Sequence, residues 1–133
     1  MKEFLPDFSF AVSIDCVLFG FDGNELKILL IERNEEPFKD WWALPGNLVN
    51  KKESLDQSAQ RILKELTGLS DIYMEQYYAF GKVERHPQGR VVSVAYYALL
   101  RLGGEKPLKP LISFAKRAQW VNVAELPKLA FDH

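Results

Sequence analysis

LPGNLVNKKESLDQSAQRILKELTGL, residues 44–69, reads as a loop feeding a well-capped helix. Ser54 is a helix N-cap, and Gln57 three residues on completes a capping box. Asp56 places a negative charge near the positive end of the helix dipole. Thr67-Gly68-Leu69 is the stop: Gly68 can adopt the left-handed conformation, and Leu69 can fold back onto Leu63. Between the caps, Leu55, Ala59, Ile62, Leu63 and Leu66 fall within an arc of roughly 100° at helical pitch, so they form one apolar stripe.

The remainder of the chain supplies what that stripe packs against. Phe8 to Phe21 is rich in β-branched and aromatic residues and predicts a long strand. Asp22-Gly23-Asn24 is a hairpin turn, and Leu26 to Arg33 returns as a second strand. A polar loop, 34–40, leads to a short extended piece, Trp41 to Leu44, stopped by Pro45-Gly46. After the helix, Ile72 to Glu84 predicts one or two strands bent at Gly81, and Arg90 to Arg101 is a further strand. Gln119 to Val123 is a last short strand, and Ala124 to Leu129 a helical turn. The order implies an α/β (α+β mixed) domain, with helices packed on a mixed sheet.

Composition bounds the function. A chain of 133 residues is one domain with room for one core. Its 17 basic and 18 acidic residues nearly cancel, so charge gives this chain by itself no reason to bind nucleic acid or an anionic membrane. The single cysteine, Cys16, excludes an internal disulfide framework, suits a reducing cytoplasm and reads as buried filler. The apolar run from Phe8 to Gly20 is interrupted by Asp15 and followed by no small-residue cleavage site, so it reads as a cytoplasmic strand rather than as a signal peptide. It is also too short to span a bilayer.

The segment 44–69 resembles a Nudix box, G-x5-E-x7-R-E-U-x-E-E-x-G-U, where U is a bulky aliphatic. Glu53, Arg61, Leu63, Glu65, Gly68 and Leu69 match in register. Asn47 stands where the box has its first Gly, and Ile62 and Leu66 stand where it has two Glu. In the family those two carboxylates and that of Glu65 hold a divalent metal against a diphosphate, so the frame is kept while most of the metal-binding chemistry is gone. The resemblance implies the Nudix fold, a mixed sheet in an α/β/α sandwich.

It extends beyond the box. EPFKDWWALPGNLV, YMEQYYAFGKVERHPQGRVVSVAYYAL and WVNVAELPKLAFDH are similar to the corresponding parts of NrtR-type transcriptional regulators. Members carry an N-terminal Nudix domain that senses a metabolite and a C-terminal winged helix that binds DNA. Their effectors include ADP-ribose and, in an AraR-like branch of sugar metabolism, a pentose such as arabinose. On this reading residues 1–133 are a single effector-binding domain. No recognition helix lies within it, and His133 falls on the family's domain boundary, which favours a chain cut there over a stand-alone sensor.

Each singled-out residue carries two readings. Ile62 and Leu66 complete the apolar stripe or floor a pocket where metal once sat. Glu65 is a vestigial catalytic or metal-binding carboxylate, or an i, i+4 partner of Arg61. Glu53 and Arg61 match the box positions whose salt bridge braces the loop, with Gly46 and Gly68 as the other structural positions. Arg33 and Lys39 lie where a diphosphate would need cations. One of Trp41 and Trp42 fills core and the other, taken as Trp42, stacks on a base or sugar. Arg85 and Arg90 flank a turn that the resemblance places near effector or dimer partner. Of Tyr96 and Tyr97, one is core and the other, taken as Tyr97, lines the pocket or interface. His86 reads as an exposed turn residue.

The expected function is therefore a catalytically degenerate, cytoplasmic, homodimeric sensor for a pentose, sugar phosphate or ADP-ribose, reaching DNA only through a domain beyond this chain and needing no cofactor. The alternative is an active Nudix pyrophosphatase using Mg²⁺ or Mn²⁺, with Glu65 and a carboxylate such as Glu105 as ligands. A third possibility is a dimerisation scaffold without a ligand.

Overall fold

The computed structural model describes residues 10–81, 83, 90–103, 107–131 and 133. Its elements, in order, are β1 (Ala11–Phe21), β2 (Leu26–Arg33), β3 (Trp42–Ala43), β4 (Gly46–Leu48), α1 (Leu55–Thr67), β5 (Glu75–Phe80), β6 (Val91–Arg101) and β7 (Ala115–Asn122). A 3-10 turn, Val123–Glu125, follows. The sheet is mixed. β1 runs parallel to β6, from Ala11 beside Val91 to Phe21 beside Arg101, and the other pairings are antiparallel. β5 lies at the edge beyond β6.

α1 forms as its sequence dictates. Ser54 accepts from Gln57 N, Gln57 Oε1 accepts from Ser54 N, and Gly68 closes the helix at φ 83° with its N–H donated to Lys64 O. A side chain at Gly68 would also meet Lys109 O at 2.9 Å. The stripe packs onto one face of the sheet. Ala59, Ile62, Leu63 and Leu66 join Ile14, Cys16 and Leu18 of β1, Leu29 and Ile31 of β2, and Val94, Tyr96 and Ala98 of β6. Tyr96 donates to Asp56 Oδ1 at the start of α1, and its burial and that carboxylate raise its pKa. Burial, then the nearby Asp15 charge, likewise pushes the Cys16 thiol up, so it is an inert core residue.

Three strands depart from expectation. Pro45-Gly46 does not end the extended chain, because Gly46 opens β4 against Asp15 of β1. β7 begins at Ala115 rather than Gln119, because β2 offers a partner along its whole length, from Lys27 beside Asn122 to Arg33 beside Ala115. The strand expected over 72–84 is regular only from Glu75 to Phe80. Positions 82 and 84 lie outside the described residues.

β1 and β2 pair only from Phe19–Phe21 to Leu26–Ile28. Beyond that point β4 takes the place beside β1, while β3 and Arg33 lie further along β2. The opening between them holds the candidate site, on the sheet face away from α1. α1 is the one α-helix among the described residues and forms the layer on its face of the sheet. On the other face, Val123 and Leu129 pack over Ile28, Leu30 and Leu44. No helix among the described residues is long and apolar enough to cross a membrane.

Candidate ligand cavity

The Nudix-box frame is a brace. Arg61 Nε donates to both oxygens of Glu53, at 2.8 and 2.9 Å, and its two terminal nitrogens reach Glu65 Oε1 and Leu48 O, each at 2.9 Å. Ser58 also donates to Glu53 at 2.8 Å. Desolvation raises the Glu53 pKa, but the bonds from Arg61 and Ser58 outweigh it and hold the carboxyl below its ordinary value. One guanidinium thus ties the loop, the helix start and β4 together. Arg61→Lys should lower the melting temperature by on the order of 5 °C, followed by circular dichroism, because an ammonium cannot hold all three partners at once. An unchanged transition would contradict the brace.

This brace consumes the carboxylates that a metal would need. Glu53 and Glu65 both face Arg61, and Ile62 and Leu66 are aliphatic and 0% exposed. Among the described residues no group of three or more His, Cys, Asp or Glu could hold a metal ion. A divalent cation asks for several oxygen ligands, so this donor set does not fit one. The expectation that Ile62 and Leu66 floor a ligand pocket is also corrected. α1 turns both into the core, on the sheet face away from the cavity.

A cavity of about 720 Å³ lies where β1 and β2 part. That size suits a small ligand. Its floor comes from alternate residues on one face of the sheet: Ala11, Ser13 and Asp15 of β1, and Val91 and Ser93 of β6. Ser13 and Ser93 hydroxyls are hydrogen-bonded at 2.5 Å. Asp15 lies over the backbone of β4, where a Cβ on Gly46 would come within 2.2 Å of its Oδ1. His133 Nε2 is 3.5 Å from the same oxygen. His133 Nδ1 accepts the Leu44 N–H at 3.1 Å, so the neutral ring carries its proton on Nε2, toward Asp15.

Among the described residues, two arginines border the cavity. Arg33 is 7% exposed, with its guanidinium carbon 4.9 Å from the ring centroids of both Phe114 and Phe131. Its Nε donates to Pro37 O at 2.8 Å, and a terminal nitrogen reaches Glu35 O. Burial lowers its pKa, opposed by Glu35, Glu36 and Asp15, and it stays cationic. Arg33 therefore builds the wall as much as it offers charge. Arg90 stacks on Phe10 at 5.3 Å, and its Nε is buried with no hydrogen-bond partner among the described residues. An unsatisfied buried donor bordering a cavity is a ready anion contact.

Past Asp15 the same face turns apolar. Val17, Phe19, Ala95 and Tyr97 continue it into a groove bordered by Leu126 and Leu129. Asp15, Leu44 and His133 border both spaces and form the wall between them.

The structure thus brings Arg33, Arg90 and Gly46 to the cavity. It does not bring Trp42, which packs beside Ile28, Leu30 and Leu44 and lies under Arg117, or Tyr97, which faces the groove and donates to Glu75. Trp41 packs on the core and Tyr96 within it. Arg85, His86 and Glu105 lie outside the described residues. Ser13, Asp15, Ser93 and His133 were not expected at a site. The signal available for Asp15 was its position as a lone acid in an apolar strand.

Known proteins share this architecture. The NUDIX domain family model matches residues 9–133. The chain is 36% identical over 126 residues to the ADPR responsive transcriptional repressor NtrR of Acinetobacter baylyi, covering 92% of this chain and 49% of that protein. It therefore spans about half the length of that regulator. It is 37% identical over 123 residues to the ADP-ribose pyrophosphatase of Methanocaldococcus jannaschii, covering 92% of this chain and 68% of that enzyme. Among solved structures, the NUDIX domain of Shewanella oneidensis NrtR complexed with ADP ribose superposes with a TM-score of 0.84 at 31% identity, covering 99% of this chain and 90% of that one.

Proposed function

The chain belongs to the NUDIX domain family, and from that premise we propose that it is the ligand-sensing domain of a cytoplasmic transcriptional regulator, binding ADP-ribose or a related phosphorylated sugar rather than hydrolysing it. The observation that carries this reading is the fate of the box carboxylates: two positions are aliphatic and packed in the core, and the remaining Glu53 and Glu65 are held by Arg61. The likeness to an ADPR-responsive repressor and to an ADP-ribose-bound NUDIX domain supports the same ligand class. The cavity supplies cations from Arg33 and Arg90 and polar contacts from the Asp15 floor. DNA contact belongs to a further domain of such a regulator.

Incubation with ADP-ribose and Mg²⁺ or Mn²⁺ tests this. The expected result is no release of AMP at ordinary enzymatic rates of about 1–10³ s⁻¹. Turnover in that range would favour a second reading, an ADP-ribose pyrophosphatase, which the likeness to the archaeal enzyme supports. Such an enzyme would need metal ligands beyond those described, Glu105 among the candidates. Arabinose, the effector expected for an AraR-like sensor, belongs in the same binding assay.

We also infer a homodimer. β5 is an edge strand with every residue exposed, including Tyr77, Tyr78 and Phe80. An exposed aromatic edge of that kind invites a second chain. Light scattering after size exclusion should give twice the chain mass, and a monomer would refute it.

A further inference from the structure

We propose that a second copy of this chain docks on the open face of the sheet, over an aromatic patch shared by β5, β6 and β1, rather than by adding a strand at the β5 edge. The inference rests on the homodimer reading above and names its surface.

The patch is built by register. Tyr97 and Leu99 are alternate residues of β6, so both lie on the sheet face away from α1. Antiparallel pairing brings Tyr78 beside Ala95 and Phe80 beside Ser93 on that face, and the parallel register brings Phe21 beside Arg101. A bulge between Gln76 and Tyr78 admits Tyr77 as well, with its ring edge-on to Tyr97 at 6.1 Å. These six large side chains are 41–72% exposed.

Size points to a protein partner. At about 150–250 Å² per large ring, the exposed parts come to on the order of 500–800 Å². The largest apolar patch of an ordinary monomer is about 300–600 Å². A stable interface covers about 800 Å² on each partner. The rings are also held in place before docking. Tyr97 donates to Glu75 at 2.9 Å, and the Tyr78 and Phe80 centroids are 5.1 Å apart, so little side-chain freedom is lost on association.

Charge points to the chain itself as that partner. Both signs border the patch, with Glu75 opposite Tyr97 and Arg101 beside Phe21. Such a surface can meet its own copy across a twofold axis without setting like charges against each other. The bulge argues against the edge as the contact, because it interrupts the ladder that an added strand would have to continue.

Light scattering after size exclusion, on the native chain and on Leu99→Glu across a dilution series, tests the proposal. Leu99 is the most exposed of the six and lies one strand in from the edge, so the variant should keep the native melting curve. Its dimer dissociation constant should rise by about a hundredfold or more, because each copy carries the new charge into the contact. Leu99→Lys is read in the same way. On the native chain, the outward amides of β5 should exchange with solvent as fast in the dimer as in the monomer. A folded variant that dimerises as tightly as the native chain overturns the proposal, as does protection of those amides on dimerisation, and either result leaves the homodimer reading intact with β5 as its surface. A native chain that stays monomeric throughout the series overturns both.

Discussion

Ile62→Glu combined with Leu66→Glu, which restores the family's carboxylates, is expected to abolish cooperative folding at 25 °C and neutral pH without creating a hydrolase. Both positions are 0% exposed, inside the cluster that joins α1 to β1, β2 and β6. An ionised carboxylate there has neither water nor a cation, and its burial costs several kcal/mol, or the group protonates instead. Two such groups approach the whole stability of a domain, about 5–15 kcal/mol. Leu66→Ala removes volume without charge and should cost about 2–5 kcal/mol while leaving a folded chain. Urea unfolding followed by circular dichroism reads both. A double variant that unfolds at the native midpoint would show that these residues face open space rather than core.

Gly46→Ala should destabilise the chain by overpacking rather than by charge. Its Cβ would lie 2.2 Å from Asp15 Oδ1 and 2.8 Å from Ile14 O. The carboxylate can swing aside, but the carbonyl belongs to β1 and cannot move without breaking the β1–β4 ladder. Overpacking of this kind costs about 1–3 kcal/mol. It should also weaken ADP-ribose binding, because Asp15 is driven from the cavity wall. A variant with native stability and native affinity would contradict the close approach of β4 to β1.

The helix was legible in the sequence because its determinants are local. Ser54, Gln57 and Gly68 cap it through neighbours a few residues away, and the stripe from Leu55 to Leu66 follows from pitch alone. The Glu53–Arg61 brace was legible through the resemblance. β4 and the early start of β7 were not, since each exists only because a partner strand runs beside it. The site divided the same way. Arg33 and Arg90 stood out by charge, yet nothing local showed that Arg33 is clamped between Phe114 and Phe131, residues roughly eighty and a hundred positions away. Ser13 and Ser93 meet only through the parallel β1–β6 register. Asp15 broke an apolar strand, a pattern that argued against a signal peptide and that also marked a carboxylate on the cavity floor. Trp42 looked like a stacking platform by residue type, but β3 turns it toward Arg117 and away from the cavity.

Under the proposed function, the Nudix frame serves recognition without a metal. Titration calorimetry of this chain with ADP-ribose, in buffer containing excess EDTA, tests it most directly. Saturable one-site binding is expected, with the same affinity in EDTA as in Mg²⁺, weakened by Arg90→Ala. Binding that appears only when Mg²⁺ or Mn²⁺ is added would contradict it.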